Sequence, residues 1–228
     1  MEKILERTYN FSKKHHTQNK SGHDFNHILR VYKNACLLLN DYPEADSFIV
    51  KMGALLHDID DRKLNPNQHQ TKTFLKTLSL KKSLIDKILS TIEAIDFGKT
   101  GDNPHFKTIE EALLFDSDKL DAIGAIGICR TILFGCYANL KLFDENIFPN
   151  LKLSKEEYKK IQRINNTTIN HFFDKLLRIK NIMQTETGKK EAIKRHDFMI
   201  RFLIEYFEEM NTPKWLNFLN KYNARYNK

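Results

Sequence analysis

Two histidines and two aspartates stand in apolar helical surroundings where packing residues would be expected: His27, the adjacent pair His57 and Asp58, and Asp118. Together they offer two imidazoles and two carboxylates from three separate segments, an N2O2 donor set that suits one divalent ion such as Mn, Fe, Co, Ni, Zn or Mg. Four protein ligands on an ion that prefers six leave room for water and a substrate oxygen. Such an ion can generate a nucleophile and polarise phosphorus. With no cysteine in the set, a structural zinc is disfavoured.

Each of these residues needs an element to carry it. Phe48, Ile49, Met52, Leu55 and Leu56 repeat at i, i+1, i+4, i+7 and i+8, so a core helix runs directly into His57 and Asp58. Gly53 in that helix costs about 1 kcal/mol relative to alanine, which implies a close helix contact at its level. Ile59-Asp60-Asp61-Arg62-Lys63 follows, and carboxylates crowded at a helix C-terminus oppose its dipole unless a cation relieves them. Asp24 is a natural N-cap for a helix whose buried face is Ile28, Val31, Tyr32, Ala35, Leu38 and Leu39. His27 borders that face one turn before Val31. Asp118 and Asp121 stand at i, i+3 in a long helix that starts near Thr108 and carries the run through Gly127. They repel each other unless something positive is close. The small residues Ala122, Gly124 and Ala125 would admit a partner helix.

The remaining chain reads as support. With 228 residues, 41% of them hydrophobic, and only 8 Gly and 5 Pro, the expectation is an all-α, single-domain multi-helix bundle over 1–228. Its metal core spans about 21–135, and additional C-terminal helices cover about 154–228. A first helix spans 2–17, and its adjacent His15 and His16 are taken as surface residues because neighbours at i, i+1 diverge by about 100°. Two packing helices lie within 67–96, and loops cover 97–104 and 143–153. Ser154 and Glu157 have capping-box spacing. His171, Lys175 and Arg178 form a cationic stripe, either solvated surface or a reach toward an anion. A last long helix buries Met199, Phe202, Leu203, Tyr206, Phe207 and Met210. Trp215, Leu216 and Leu219 belong to a short terminal helix after Pro213, and 222–228 is polar enough to fray.

The net charge of +8 favours polyanions or phosphorylated ligands, although scattered Lys and Arg commonly decorate solvated helix faces. Cys36, Cys129 and Cys136 are odd in number and form no C-x-x-C pair, which suggests buried thiols in a reducing cytoplasm. No secretory h-region follows Met1, and the most apolar stretch, 122–136, is interrupted by Arg130. A cytoplasmic protein without a membrane partner is expected.

His27, His57-Asp58 and Asp118 resemble the H…HD…D signature of the HD superfamily of helical metal-dependent phosphohydrolases. The resemblance extends through His23-Asp24, Arg30-Val31, Leu55 to Lys63, Ile92-Glu93, the block Asp116 to Gly127, and Asn170 to Leu177, and so spans nearly the whole chain. It implies one divalent metal on His27, His57, Asp58 and Asp118, and a phosphorylated small molecule, a nucleotide, as ligand. Small bacterial-type members of this group imply hydrolysis of nucleoside or deoxynucleoside triphosphates to monophosphate and pyrophosphate. Asp61 takes the place of an acid that handles the attacking water, the general acid/base. Arg30, Lys63, Lys119 and Lys175 are candidates to hold phosphate oxygens, and Asp121 to orient a ligand or a sugar. HD proteins with two metals carry extra histidines between the HD pair and the last aspartate. Here Ser83 to Asp96 has none, and His69 and His105 sit in loop-like contexts. A single-metal site follows, which argues against a di-iron oxygenase. Two alternatives stay open: a non-catalytic nucleotide- or RNA-binding module, and a phosphatase acting on an alarmone or nucleotide.

Overall fold

The computed structural model describes residues 1–16, 24–60, 69–95, 104–149 and 166–226, and it is all-α: among these residues only an isolated bridge between Lys141 and Thr167 departs from helix and loop. The expected capping box at Ser154 lies outside the described residues. The chain forms two compact units, Met1–Asp121 with Ile182–Lys189, and Ala122–Asn181 with Lys190–Lys228.

The first unit is built around α3 (Ser47–Leu56), which α1 (Glu2–His16), α2 (Phe25–Leu39), α5 (Lys82–Ala94) and α6 (Ile109–Asp121) all touch. Residues Phe48, Ile49, Val50, Met52, Gly53, Ala54, Leu55 and Leu56 of α3 are all buried, as an apolar helix surrounded on every side requires. At Gly53 α6 comes close, since a Cβ there would stand 2.7 Å from Leu114 Cδ2. Asp46 caps α3 through the backbone N–H groups of Phe48 and Ile49, at 3.0 and 3.3 Å. Asp24 caps α2 through the N–H of His27 at 3.0 Å. The short α4 (Gln70–Lys76) starts on Asp60, whose two oxygens accept from the N–H groups of Gln70 and Thr71 at 2.9 and 3.2 Å. The load of acid after α3 is therefore relieved in part by a helix N-terminus.

Two sequence expectations change here. The run from Thr108 to Gly127 is not one helix: α6 ends at Asp121 and α7 (Gly124–Tyr137) starts anew, with Gly124 at φ +76°. A left-handed residue suits glycine and stops an α-helix. Gly127 then lies so close to the Ala122 carbonyl that a Cβ would come within 2.3 Å of its oxygen. His16 is not a surface residue; it is buried at the end of α1, 3% exposed. His15, about 100° round the helix, is half-buried and stacks on Phe11 at 5.7 Å.

The second unit contains α7, a five-residue helix α8 (Asn170–Asp174), a 3-10 segment (Leu176–Ile182), most of α9 (Glu186–Glu209) and α10 (Pro213–Tyr226). Its core is aromatic. Trp215 stacks on Phe148 at 4.3 Å and meets Phe143 at 5.1 Å and Phe207 at 5.3 Å. The Trp215 indole N–H donates to the Glu145 carbonyl at 3.0 Å, and the Tyr222 hydroxyl donates to the Phe173 carbonyl at 2.8 Å. That anchor carries α10 on through Tyr226, past the point where fraying was expected. Met210 falls beyond the end of α9 and is half exposed. The cysteines are free, but Cys129 and Cys136 are exposed and Cys36 half-buried. Cys129 and Cys136 share α7 with Leu133, Phe134 and Tyr137, which are exposed too, so apolar neighbours did not signify burial. No single helix among the described residues is long and apolar enough to cross a membrane.

Candidate metal centre

His27, His57, Asp58 and Asp118 come together at the ends of α2, α3 and α6. Ligand atoms of His27, His57 and Asp118 all lie within 4.8 Å of one another. His27 Nε2 is 3.3 Å from His57 Nε2, 3.3 Å from an Asp58 oxygen and 3.7 Å from an Asp118 oxygen. His57 Nε2 is 3.5 Å from the other Asp58 oxygen and 3.9 Å from the same Asp118 oxygen.

The hydrogen bonds behind the rings decide what those atoms can do. His57 Nδ1 lies 3.1 Å from the Ala54 carbonyl, and His27 Nδ1 lies 2.7 Å from Asp121 Oδ2. A carbonyl and a carboxylate only accept, so both Nδ1 atoms carry hydrogen, and in the neutral rings both Nε2 atoms present lone pairs. Two lone pairs 3.3 Å apart repel each other unless a cation lies between them. Ligands about 2.1 Å from an ion at tetrahedral or octahedral angles stand about 3.0–3.4 Å apart, close to the spacings here. Two neutral imidazoles and two carboxylates also sum to the charge that a divalent ion balances. The residues present fit such an ion.

A further layer holds this one. Asp121, 2% exposed, is shared between His27 and Arg30, whose Nε and Nη2 donate to it at 2.6 and 3.1 Å. Asp121 is thereby placed to orient His27, while the Arg30 side chain keeps 30% exposure. The Lys119 ammonium donates to Asp118 Oδ2 at 2.7 Å and lies 4.9 Å from the Phe115 ring centroid. Burial alone would push the Asp118 carboxyl up; the positive charge of Lys119 leads the influences that outweigh it and hold the group far below the usual carboxylate range. Asp118 is thus a carboxylate at any pH of interest. Lys175 belongs to the second unit, at the C-terminal end of α8. Asp61 and Lys63 lie outside the described residues. His69 and His105 are exposed.

Two contributions escaped the sequence reading. Asp116, fully buried, accepts from the N–H groups of Gln184 and Thr185 at 2.9 and 2.8 Å and from the Thr185 hydroxyl at 2.6 Å. It ties the start of α9 to the helix that carries Asp118. The other is His16, whose charge balance is set in part by Asp58 and His57. The signal available for His16 was the stripe Thr8, Ser12, His16 at i, i+4, i+8, all three buried. That stripe is polar, so a search for apolar periodicity passes over it.

Known proteins are similar to this chain in sequence and fold. The HD domain family matches residues 24–123, the segment from the α2 cap to just beyond Asp121. The Bacillus subtilis protein YpgQ is 31% identical over 194 residues, covering 82% of this chain and 84% of its own. The solved structure of YpgQ in complex with ADP superposes with a TM-score of 0.67 at 27% identity, covering 90% of this chain and 97% of that one. A Lactobacillus plantarum protein superposes with a TM-score of 0.80 at 27% identity, covering 92% and 98%. A Bacillus thuringiensis protein described as an HD-superfamily hydrolase does so with a TM-score of 0.72 at 31% identity, covering 92% and 98%. The chain belongs to the HD superfamily of hydrolases.

Proposed function

We propose that this chain is a metal-dependent nucleotide phosphohydrolase that converts nucleoside or deoxynucleoside triphosphates to the monophosphate and pyrophosphate, using one divalent ion held by His27, His57, Asp58 and Asp118. The observation that carries this reading is the pair of imidazole lone pairs facing each other beside two carboxylates. The ADP complex of YpgQ supports a nucleotide as the ligand here. Three cysteines without a disulfide suit a cytoplasmic setting.

When bound, the ion supplies Lewis-acid polarisation and lowers the pKa of water. The chain's own groups supply position and charge. Asp121 holds His27 in one tautomer and one orientation, and the Ala54 carbonyl does the same for His57. The exposed part of Arg30 serves a phosphate oxygen while its other edge stays on Asp121, a division that the planar guanidinium fork allows. Lys119 offsets negative charge beside Asp118, and Lys63 and Lys175 are assigned to phosphate. Asp61 manages protons on the attacking water.

The test is a product-resolved screen of nucleoside and deoxynucleoside triphosphates with Mn, Co, Ni and Mg. Monophosphate plus pyrophosphate is the expected outcome. Free phosphate would make the protein a phosphatase, and nucleotide binding without product under every metal would make it a binding module. Asp58→Ala should abolish metal binding, whereas Asp61→Asn should keep the metal and lose about 10²–10⁴-fold in kcat.

A further inference from the structure

His16 lies upstream of the segment that the HD family matches and has no place in the four-residue cluster. Its ring is 3% exposed, and its Nδ1 lies 3.0 Å from the Ser12 carbonyl. The carbonyl only accepts, so Nδ1 carries the hydrogen and Nε2 of the neutral ring is a lone pair. That Nε2 is buried and meets no hydrogen-bond partner. An unsatisfied buried acceptor costs about 1–3 kcal/mol, and in folded proteins such atoms mark bound water or a functional role. His16 also shares with His27 and His57 an Nδ1 bonded to an acceptor.

Its position follows from the packing of α1. Thr8 Oγ1 is 3.4 Å from Met52 Sδ, so the buried stripe Thr8, Ser12, His16 meets α3 at Thr8, and His16 at its other end interacts with His57 and Asp58. Eight residues after Thr8 the helix has risen about 12 Å, and six residues after Met52 the chain has reached Asp58. Tyr9 packs edge-on against Phe25 at 5.0 Å, and Phe11 stacks on Phe74 of α4 at 3.9 Å, so α1 is fixed from two more sides. Asp58 and His57 both act electrostatically on the His16 ring, yet burial, the larger influence, lowers its pKa and keeps the ring neutral. Two more buried oxygens without partners, Ser12 Oγ and Thr71 Oγ1, sit on α1 and α4, and the backbone N–H of Thr71 is bonded to Asp60.

A neutral imidazole lone pair repels a phosphate oxygen, which also only accepts at neutral pH. Water is the small donor that fits. We propose that His16 is a fifth residue of the site: its Nε2 accepts a hydrogen bond from a water held beside Asp58 and orients that water for reaction. The catalytic consequence rests on the hydrolytic reading above; the hydrogen bond does not.

A crystal structure of the full chain with Mn bound tests the hydrogen bond directly. A water about 2.7–3.1 Å from His16 Nε2 is the expected result, and a dry Nε2, or the ion itself on Nε2, would overturn the proposal. The functional arm compares His16→Phe, which keeps a buried ring and loses the acceptor, with His16→Gln, whose side-chain carbonyl can accept. His16→Phe should lower kcat about 10–100-fold with KM and Mn affinity held within about threefold of the parent, and His16→Gln should recover part of the loss. Unchanged kcat in His16→Phe, or a Mn affinity that falls along with it, would overturn the orienting role. Should the parent protein hydrolyse no nucleotide, the hydrolytic reading fails while the crystallographic arm still decides His16.

Discussion

Asp121 gives the sharpest test of how the candidate metal centre is held. Its carboxylate takes three hydrogen bonds: Oδ2 accepts from His27 Nδ1 at 2.7 Å and from Arg30 Nη2 at 3.1 Å, and Oδ1 accepts from Arg30 Nε at 2.6 Å. In Asp121→Asn one oxygen becomes an NH2 group. The amide can keep its carbonyl toward His27 only by turning the NH2 against Arg30 Nε, so at least one donor faces a donor and the negative charge behind His27 is lost. Replacing a group that orients a metal-ligating histidine weakens metal affinity about 10–100-fold. Asp121→Asn, which can still accept from His27, belongs near about 10-fold, or about 1.4 kcal/mol. Asp121→Ala, which cannot, belongs near about 100-fold. Arg30 keeps 30% exposure, so water takes over part of its lost pairing and the folding cost should stay near about 1–2 kcal/mol. Calorimetric titration of Mn at a temperature well below both melting points measures the first quantity, and thermal denaturation of the metal-free protein measures the second. Mn affinity within twofold of the parent in both variants would refute the argument that the Asp121 contact fixes the His27 tautomer for metal binding.

Gly188→Ala should cost about 1–3 kcal/mol, because its Cβ would come 2.3 Å from Asp116 Oδ2 and 2.7 Å from Thr185 Oγ1; differential scanning calorimetry should show Tm falling about 2–4 °C per kcal/mol. Acid should weaken the second unit: burial and Lys180 lower the His196 pKa to about 4, and burial with Lys175 lowers that of His171 to about 3. The unfolded chain, with histidines near 6.5, binds more protons between those values, so stability is full above about pH 6.5 and is lost as pH falls toward 4 and 3. Fluorescence of Trp215, the single tryptophan, should report a denaturant midpoint that drops over that range, and a flat midpoint would contradict it. We also propose that the chain unfolds as one domain: two of the three places where it passes between the units, Asn181/Ile182 and Lys189/Lys190, fall inside helical segments. Trp215 fluorescence and far-UV circular dichroism should therefore give coincident transitions.

What could be read from the sequence was what periodicity or a ligand type encodes. The apolar rhythm of 48–56 located α3, and Asp24 announced the start of α2. The aspartates and histidines of the centre stood out because polar residues interrupted core helices. The misses have a common cause, in that each depended on a tertiary neighbour. The break after Asp121 depends on Gly124 adopting φ +76° and on Gly127 closing against the Ala122 carbonyl, whereas apolar residues continue across it in the sequence. His16 was dismissed with His15 because two adjacent side chains cannot converge; that geometry excludes the pair and says nothing against one member. Cys129 and Cys136 looked buried by association with apolar neighbours that are themselves exposed.

The centre is built so that His27, His57 and Asp118 are constrained from behind before anything binds in front. His27 is backed by Asp121, and Asp121 by Arg30; His57 is backed by a carbonyl of its own helix; Asp118 is backed by Lys119. Each backing contact fixes one orientation at a helix terminus, where packing alone would leave the side chain several rotamers. The cost is concentrated repulsion, two lone pairs and two carboxylates within a few ångströms. A bound divalent ion would return that energy, and its binding would then stabilise the first unit. The same logic separates the two layers of cation: Lys119 and Arg30 sit on the outer oxygens of Asp118 and Asp121, where they temper the negative charge without occupying the point toward which the two Nε2 atoms converge.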